Sequence, residues 1–285
     1  MSAPADYSLG ADDGERLRLV AQCAMHRAEA GTLLDRIGVG PGRHVLDLGC
    51  GPLGILDLLA ERVGADGRVV GVDREPRFLD MAVRSLSERG HDGVELVGAD
   101  ARATGLPDAA FDLVHERLVL VNVPDPAAVV AEMARLTRPG GTVAVQDVDW
   151  ISWTCVPGHP DWDLLLDATA GAWSGDVRIG RRLPQLLRDA GLVDVGVAAQ
   201  TRVFRPGEAY HGLLLRFVEL HRDRILARGG LDPARLDAAV ARLTCHLADP
   251  ATYTLYATFF QAWGRRPSRT GGAGSQAGRT SNATG

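Results

Sequence analysis

The sequence contains no lysine, since all 31 of its basic residues are arginine. This absence excludes Schiff-base chemistry, a catalytic lysine and a phosphate-binding P-loop, because each of these requires a lysine side chain. The four cysteines are scattered without CxxC spacing, and no histidines or acids cluster at ligand spacing. We therefore expect neither a disulfide framework nor a metal site.

Long apolar runs and excess positive charge are also missing. No run approaches the roughly 18 apolar residues of a membrane span, and the first residues are acidic, unlike a secretory signal. The formal net charge of -5 disfavours a dedicated nucleic-acid binder. We therefore expect a soluble, cytoplasmic protein without nucleic-acid or membrane partners, and 285 residues suffice for a full core.

Apolar strands alternate with helical patterns through the first half of the chain. This rhythm predicts right-handed βαβ crossovers and a parallel sheet, so the fold class is α/β. Two later segments, 194–204 and 252–263, have strand character and would complete a seven-stranded, mostly parallel sheet. The predicted strands of the first half are His44–Leu48, Arg68–Asp73, Val94–Asp100, Phe111–Glu116 and Thr142–Asp149, and the helices are Ile55–Val63, Pro76–Arg89 and Pro126–Leu136.

Four regions are predicted from these patterns. Residues 1–35 form a helical lead-in, and residues 36–150 form the ligand-binding α/β core. Residues 151–265 supply a helical cap, which includes the helical stretches 208–228 and 232–248, together with the last two strands. Residues 266–285 lack periodicity and are predicted to be a disordered tail.

A glycine-rich turn joins the first strand to the first helix. Gly49-x-Gly51-x-x-Gly54 matches a dinucleotide fingerprint, and Asp73 ends the next strand, where an acid suits ribose hydroxyls. A tight turn without a ligand is the alternative. Asp47, two residues before the first glycine, would repel a pyrophosphate but attract an ammonium group. The turn therefore favours S-adenosylmethionine (SAM), which has an ammonium group and no phosphate.

The motifs DLGCGPLG, GVDREP, GADAR and LTRPGGTV resemble, in order and spacing, those of the class I SAM-dependent methyltransferases. The lead-in YSLG, followed by ERL and Gln22, is similar to the small-molecule branch related to the ubiquinone/menaquinone methyltransferases. The resemblance covers about residues 7–148. It implies a Rossmann-like fold with helical cap insertions and SAM as the cofactor.

The resemblance also implies roles for individual residues. Acids at strand ends can instead cap turns, and Arg117 could be either a partner for the SAM carboxylate or an exposed turn residue. The expected contacts are Asp47, Gly49, Cys50 and Gly51 with the methionine part, Asp73 with the ribose, Arg74, Asp100 and Ala101 with the adenine, and Tyr7 and Arg117 as further cofactor residues.

A general base would assist transfer to a hydroxyl or an acidic carbon. His115, Asp149 and His211 are the predicted catalytic candidates. His115 lies within a strand, so a structural histidine is an equal alternative. Asp147 and Asp149 share one face of the fifth strand and form either a polar pocket wall or a solvated turn.

Four tryptophans lie within 24 residues after the fifth strand, although aromatic residues make up only 5% of the chain. Trp150, Trp153, Trp162 and Trp173 either pack in the core or form the walls of a pocket for a flat, apolar acceptor. The helical stripes beyond them pack on the sheet or on a second subunit, so a homodimer is an open alternative.

These observations predict a SAM-dependent methyltransferase that acts on a small organic acceptor, a secondary metabolite or a quinone-like compound, with O-methylation slightly favoured. Two alternatives stay open. One is a SAM-fold protein repurposed as a cyclase or binding protein, and the other is a NAD(P)-dependent oxidoreductase.

Overall fold

A computed structural model describes residues 13–268 of the chain. The expected cofactor residue Tyr7 and most of the predicted tail lie outside this range. The helices are α1 (Asp13–Met25), α2 (Arg27–Ile37), α3 (Leu56–Val63), α4 (Pro76–Ser87), α5 (Pro126–Leu136), α6 (Pro160–Ala172), α7 (Leu183–Asp189), α8 (Leu213–Leu220), α9 (Arg222–Ala227) and α10 (Pro233–Leu247). The strands are β1 (His44–Leu48), β2 (Arg68–Asp73), β3 (Glu95–Gly98), β4 (Phe111–Arg117), β5 (Thr137–Asp149), β6 (Thr154–Val156), β7 (Val193–Gln200), β8 (Val203–Phe204), β9 (Tyr253–Leu255) and β10 (Thr258–Arg265).

Seven strands form the main sheet in the order β3-β2-β1-β4-β5-β10-β7. Neighbouring strands from β3 to β5 are parallel, whereas β10 is antiparallel to both β5 and β7. The prediction of a seven-stranded, mostly parallel α/β sheet is therefore confirmed. The order reverses between β1 and β4, which is where ligands bind in open sheets of this kind.

The central strands are buried on both faces because apolar side chains alternate between two clusters. Leu46 and Leu48 of β1 pack in the larger cluster, whereas Val45 packs in the smaller one with α2 and α3. Helices therefore cover both faces of the sheet, as parallel strands require. Helix α5 has the predicted bounds, and it is capped at its N-terminus by Asp125, whose side chain accepts a hydrogen bond from the Ala128 amide.

The predicted strand 252–263 is wrong in one respect, because it is two strands. Strand β9 leaves the main sheet and pairs with β6 and β8 in a second, three-stranded antiparallel sheet. Between β9 and β10 the backbone N–H of Tyr256 donates instead to the carbonyl oxygen of Arg202. The predicted strand 194–204 divides in the same way, into β7 and β8. Alternation reports which face a residue occupies, but it does not report where a strand changes sheets.

The helical predictions for the cap need similar corrections. The stretch 208–228 divides at His221 into α8 and α9, whereas the stretch 232–248 is a single helix, α10. Within residues 13–268, no helix is long and apolar enough to cross a membrane. No group of ligating side chains suited to a metal ion occurs in the same part of the chain.

Candidate active site

A cavity of about 380 Å³ lies along the carboxyl edge of the parallel strands. One end lies over β2 and β3, and the other lies where β5 ends and β10 begins, because β10 runs in the opposite direction. The wall therefore combines residues that are distant in sequence.

The glycine turn after β1 forms part of this wall. Gly49 and Gly51 line the cavity, and both have positive φ angles, of 73° and 55°. A Cβ on Gly49 would lie only 2.3 Å from Cγ2 of Val119, which also lines the cavity. Only glycine fits this backbone without strain, so the turn can approach a ligand closely.

Asp47 stabilises the turn from behind rather than lining the cavity, contrary to the expected contact with methionine. Its side chain is 2% exposed. One carboxylate oxygen accepts a hydrogen bond from the Ile55 amide at 3.1 Å, and the other lies 2.7 Å from Nδ1 of His115. The reason is strand alternation, which turns Asp47 towards the face covered by α2 and α3.

His115 is a structural histidine, which was one of the two alternatives for this residue. It is fully buried, and its Nε2 lies 2.9 Å from Oε1 of Gln146. The two ring nitrogens thus join three neighbouring strands. His115 does not line the cavity, so the structure favours the structural alternative, and a role as a general base stays a prediction.

Cys50 does not line the cavity either. Its thiol is buried in the apolar cluster beneath the turn, where burial raises the pKa of the thiol well above its ordinary value. A Cβ on Gly71 of the neighbouring strand would lie 3.0 Å from the Cys50 sulfur. The side chain therefore packs against the sheet, which corrects its expected role as a cofactor contact.

Asp73 lies where the sequence predicts, at the end of β2 and on the cavity wall. Its carboxylate accepts hydrogen bonds from the amides of Gly51 at 2.8 Å and Glu75 at 2.9 Å. Burial raises the pKa of Asp73, and these two amides act in the opposite direction. The side chain thus fixes the glycine turn while it faces the cavity.

The three residues expected near the adenine also line the cavity, namely Arg74, Asp100 and Ala101. Asp100 forms an ion pair with Arg102 at 2.7 Å, and the guanidinium lowers the pKa of Asp100 to about 2. This end of the cavity therefore combines carboxylates and guanidinium groups, which can hydrogen-bond hydroxyls and an adenine edge.

Arg117, the last residue of β4, has an unused donor at the cavity. Its Nη2 donates to the carbonyl oxygen of Gly54 at 2.9 Å, whereas the buried Nη1 has no hydrogen-bond partner among residues 13–268. A buried donor without a partner costs free energy until a ligand supplies an acceptor. A carboxylate such as that of an amino acid fits this position, so the residues present are compatible with SAM.

Asp149 and His211 do not line the cavity either, and their catalytic roles stay predictions. The buried Asp149 carboxylate accepts from the Ile151 amide at 3.1 Å and forms an ion pair with Arg181. The ring nitrogens of His211 lie 3.1 and 2.9 Å from two backbone carbonyl oxygens. Both nitrogens therefore face backbone groups. Both side chains satisfy local backbone groups.

The pair Asp147 and Asp149 forms neither a pocket wall nor a solvated turn. Asp147 is fully buried and accepts from the amides of Val121 at 2.9 Å and Val148 at 2.8 Å. Nearby, Glu116 accepts from the Val119 amide at 3.1 Å. The two carboxyl groups thus anchor the segment 118–122, which lines the cavity.

Burial shifts both carboxyl groups towards their protonated forms. Burial raises the pKa of Asp147 to about 7. Burial also raises the pKa of Glu116, and the charge of Asp147 adds to that rise. The anchors of the segment 118–122 therefore depend on pH.

The tryptophans divide between the two alternatives. Trp150 and Trp173 line the cavity, where Phe217 stacks on Trp150 with ring centroids 5.6 Å apart. Trp153 and Trp162 are almost fully buried in the core. The far end of the cavity is thus aromatic.

Among the ionisable residues of the wall that the sequence interpretation missed, two lie outside the quoted motifs. Arg18, on α1, lies in the lead-in, where only helix periodicity was visible. Tyr256 lies at the break between β9 and β10, inside a run that alternated without interruption. No local pattern marked either residue.

Known proteins resemble this chain in sequence. Residues 40–191 match the family model described as a methyltransferase domain. A protein of Streptomyces fradiae, the uncharacterized 37.1 kDa protein in transposon TN4556, is 34% identical over 257 residues, which are 88% of this chain and 72% of that protein. The demethylmenaquinone methyltransferase of Anoxybacillus flavithermus is 36% identical over 132 residues, which are 46% of this chain and 56% of the relative.

Solved structures share the fold. The YcgJ protein from Bacillus subtilis superposes with a TM-score of 0.58 at 17% identity, covering 84% of this chain and 99% of that one. Phosphoethanolamine N-methyltransferase 2 from Haemonchus contortus, in complex with SAM, gives a TM-score of 0.50 at 17% identity over 83% of this chain and 51% of that one.

The chain belongs to the methyltransferase domain family, since the match covers more than half of its length. More specifically, it is a class I SAM-dependent methyltransferase that resembles the menaquinone methyltransferases, and SAM is its cofactor.

Proposed function

We propose that this protein transfers the methyl group of SAM to a small organic acceptor, a secondary metabolite or a quinone-like compound, with a hydroxyl as the favoured nucleophile. The observation that carries the proposal is one continuous cavity, in which seven of the ten expected cofactor residues and an aromatic end share a wall. The name of the demethylmenaquinone relative supports a flat, quinone-like acceptor. A cytoplasmic location, the absence of nucleic-acid partners and the open homodimer alternative remain part of this proposal.

When bound, SAM supplies a methyl group activated by a sulfonium, so that an in-line nucleophile displaces the sulfur. The task of the protein is alignment, which can supply on the order of 7–11 kcal/mol of the barrier. Gly49 and Gly51 let the backbone approach the ligand closely. Asp73 would accept from the ribose hydroxyls, and the free donor of Arg117 would bind the carboxylate.

The aromatic end would position the acceptor. Trp150, Trp173 and Phe217 offer flat apolar faces that exclude water from the reacting atoms. Aromatic faces also stabilise a nearby cation such as a sulfonium, by about 0.5–2 kcal/mol. The same rings would therefore bind a flat acceptor and stabilise the positive charge of the sulfonium before the methyl group is transferred.

Incubation with methyl-labelled SAM and a panel of small metabolites tests this proposal, with labelled product followed by mass spectrometry. A calorimetric titration with SAM and another with a pyridine dinucleotide accompany it. We expect SAM binding and label transfer to a hydroxylated aromatic compound. Tight SAM binding without transfer would support the repurposed alternative, and dinucleotide binding in place of SAM would support the oxidoreductase.

A further inference from the structure

The aromatic end of the cavity contains few ionisable groups. Among the described residues that line the cavity, none is a histidine, and the carboxylates Asp73, Glu75 and Asp100 all follow β2 or β3. Those acids lie at the expected ribose and adenine end. Two further ionisable residues line the cavity, Arg18 and Tyr256, and the Tyr256 ring packs edge-on against Trp153 with ring centroids 5.8 Å apart.

Arg18 brings a buried positive charge to this end. Its side chain is only 6% exposed, although it belongs to α1, which covers the cavity from outside the sheet. Burial raises the pKa of Tyr256, Tyr210 and Asp147 raise it further, and Arg18 acts in the opposite direction. The guanidinium therefore lies within electrostatic reach of the Tyr256 hydroxyl. It keeps its charge at every working pH and donates hydrogen bonds in a planar array.

A buried guanidinium next to flat apolar faces suits a particular kind of acceptor. A phenol or enol presents a ring to the aromatic side chains and an acidic oxygen to the cation. A positive charge within about 4–6 Å favours the ionised form of such an oxygen and lowers its pKa. The protein could thus generate an anionic nucleophile without a side-chain base.

This inference rests on the proposed methyl transfer. We propose that Arg18 selects a phenolic or enolic acceptor and activates it by binding its oxygen as the anion. The hydroxyl proton leaves to solvent, and a lone pair of the oxygen then forms the bond to the methyl carbon. The bond between that carbon and the sulfonium breaks, and its electron pair stays on the sulfur. The phenolic anion and the sulfonium cation disappear together, so charge balances.

The test uses 4-nitrophenol as the probe, because its phenolate absorbs visible light and its ionisation can be read without turnover. The full chain is saturated with S-adenosylhomocysteine, and the absorbance of the bound probe is titrated with pH. We expect the ionisation constant of bound 4-nitrophenol to be about tenfold larger than that of the free compound, so that its pKa falls by about 1. Arg18→Gln should abolish this difference, and Arg18→Lys should retain part of it.

Two controls separate the charge of Arg18 from a general loss of structure. Arg27→Gln removes an arginine of α2 that pairs with Asp57 and Glu61 and does not line the cavity, so it should leave the lowered pKa of the probe unchanged. The neutral probe 4-nitroaniline should bind the wild type and Arg18→Gln equally, which would show that the aromatic end is intact.

An unchanged probe pKa in the wild type, a lowered pKa that persists in Arg18→Gln, or failure of 4-nitrophenol to bind would overturn the inference. The proposed function is tested separately by SAM binding and label transfer. If a metabolite is methylated while the probe shows no dependence on Arg18, only the role of Arg18 fails. If SAM does not bind, the proposed function fails as well.

Discussion

Asp47 and His115 face each other across the two central strands, with a carboxylate oxygen of Asp47 2.7 Å from Nδ1 of His115. The contact is buried, and it lies behind the glycine turn rather than in the cavity. Because Asp47 also accepts from the Ile55 amide, this pair connects the sheet to the start of α3. Two residues whose types suggest catalysis thus determine the shape of the cofactor turn.

His115→Ala should destabilise the fold by about 3 kcal/mol, because it leaves Asp47 without its buried partner. Urea unfolding measures this loss. His44→Ala, at an exposed histidine on the neighbouring strand β1, should change stability by less than about 0.5 kcal/mol. If His115→Ala kept full stability but lost turnover, the residue would be a base after all.

Arg117→Gln should weaken SAM binding by about 10- to 100-fold, because Nη1 loses a charge-assisted hydrogen bond to the carboxylate. The matched ligand is 5′-methylthioadenosine, which lacks the amino-acid end and should bind the variant and the wild type equally. Calorimetry measures both affinities. An equal loss for the two ligands would mean that Arg117 acts only through its bond to Gly54.

Asp73→Ala should weaken both SAM and 5′-methylthioadenosine by tenfold or more, since each ligand carries the ribose that Asp73 would bind. This pattern differs from that of Arg117→Gln and distinguishes the two ends of the ligand. Asp80→Ala, at an exposed acid on α4, is the control and should change neither affinity. Unchanged affinity for both ligands in Asp73→Ala would refute the ribose assignment.

Gly49→Ala should lower stability by about 1–2 kcal/mol from its positive φ, and further from the contact with Val119. SAM affinity should fall as well, because the added methyl group forces the glycine turn away from Val119. The double variant Gly49→Ala with Val119→Ala removes the clashing methyl group and should recover part of both losses. Absence of any recovery in urea unfolding and calorimetry would show that backbone strain alone accounts for the effect.

Asp147 should make stability fall as pH rises. The raised pKa, about 7 against an ordinary value of 3.8, means that the folded state binds more protons than the unfolded state between these values. Stability is therefore highest below the ordinary value and decreases up to about pH 7. A pKa that differs by 1 between the folded and unfolded states changes the free energy of unfolding by about 1.4 kcal/mol.

Asp147→Asn should flatten this pH dependence. It should also lower stability at every pH, because its amide nitrogen faces a backbone N–H that the carboxylate had accepted. Urea unfolding of both proteins at several pH values measures the difference in slope. Identical slopes would show that Asp147 is ionised throughout the range.

Seven residues that the sequence predicts as cofactor contacts line the cavity, because the signals for them are local. Gly49, Gly51 and Asp73 lie in short motifs whose position after a strand already determines which edge they occupy. Arg117 was found by the same reasoning, since it ends β4. The sheet itself followed from strands and helices that alternate at short separations.

The predicted bases do not line the cavity, and the same logic explains why. Alternation along a strand reports the face of a residue but not its depth, so His115 and Asp149 could not be distinguished from residues at the cavity. The acceptor end depends on contacts between distant parts of the chain. Arg18 and Tyr256 are 238 positions apart in the sequence, and only tertiary packing brings them together.

Between β9 and β10 the chain passes from the three-stranded sheet to the seven-stranded sheet. This crossing has a consequence for how such enzymes diversify. Tyr256 occupies the junction between the small antiparallel sheet and the main one, so a shift of the small sheet would move this side chain relative to the cavity. The residues expected to contact adenosine are carried by other strands. New acceptors can therefore be accommodated by changes in a peripheral sheet of three short strands, while the machinery that binds the methyl donor is inherited unchanged.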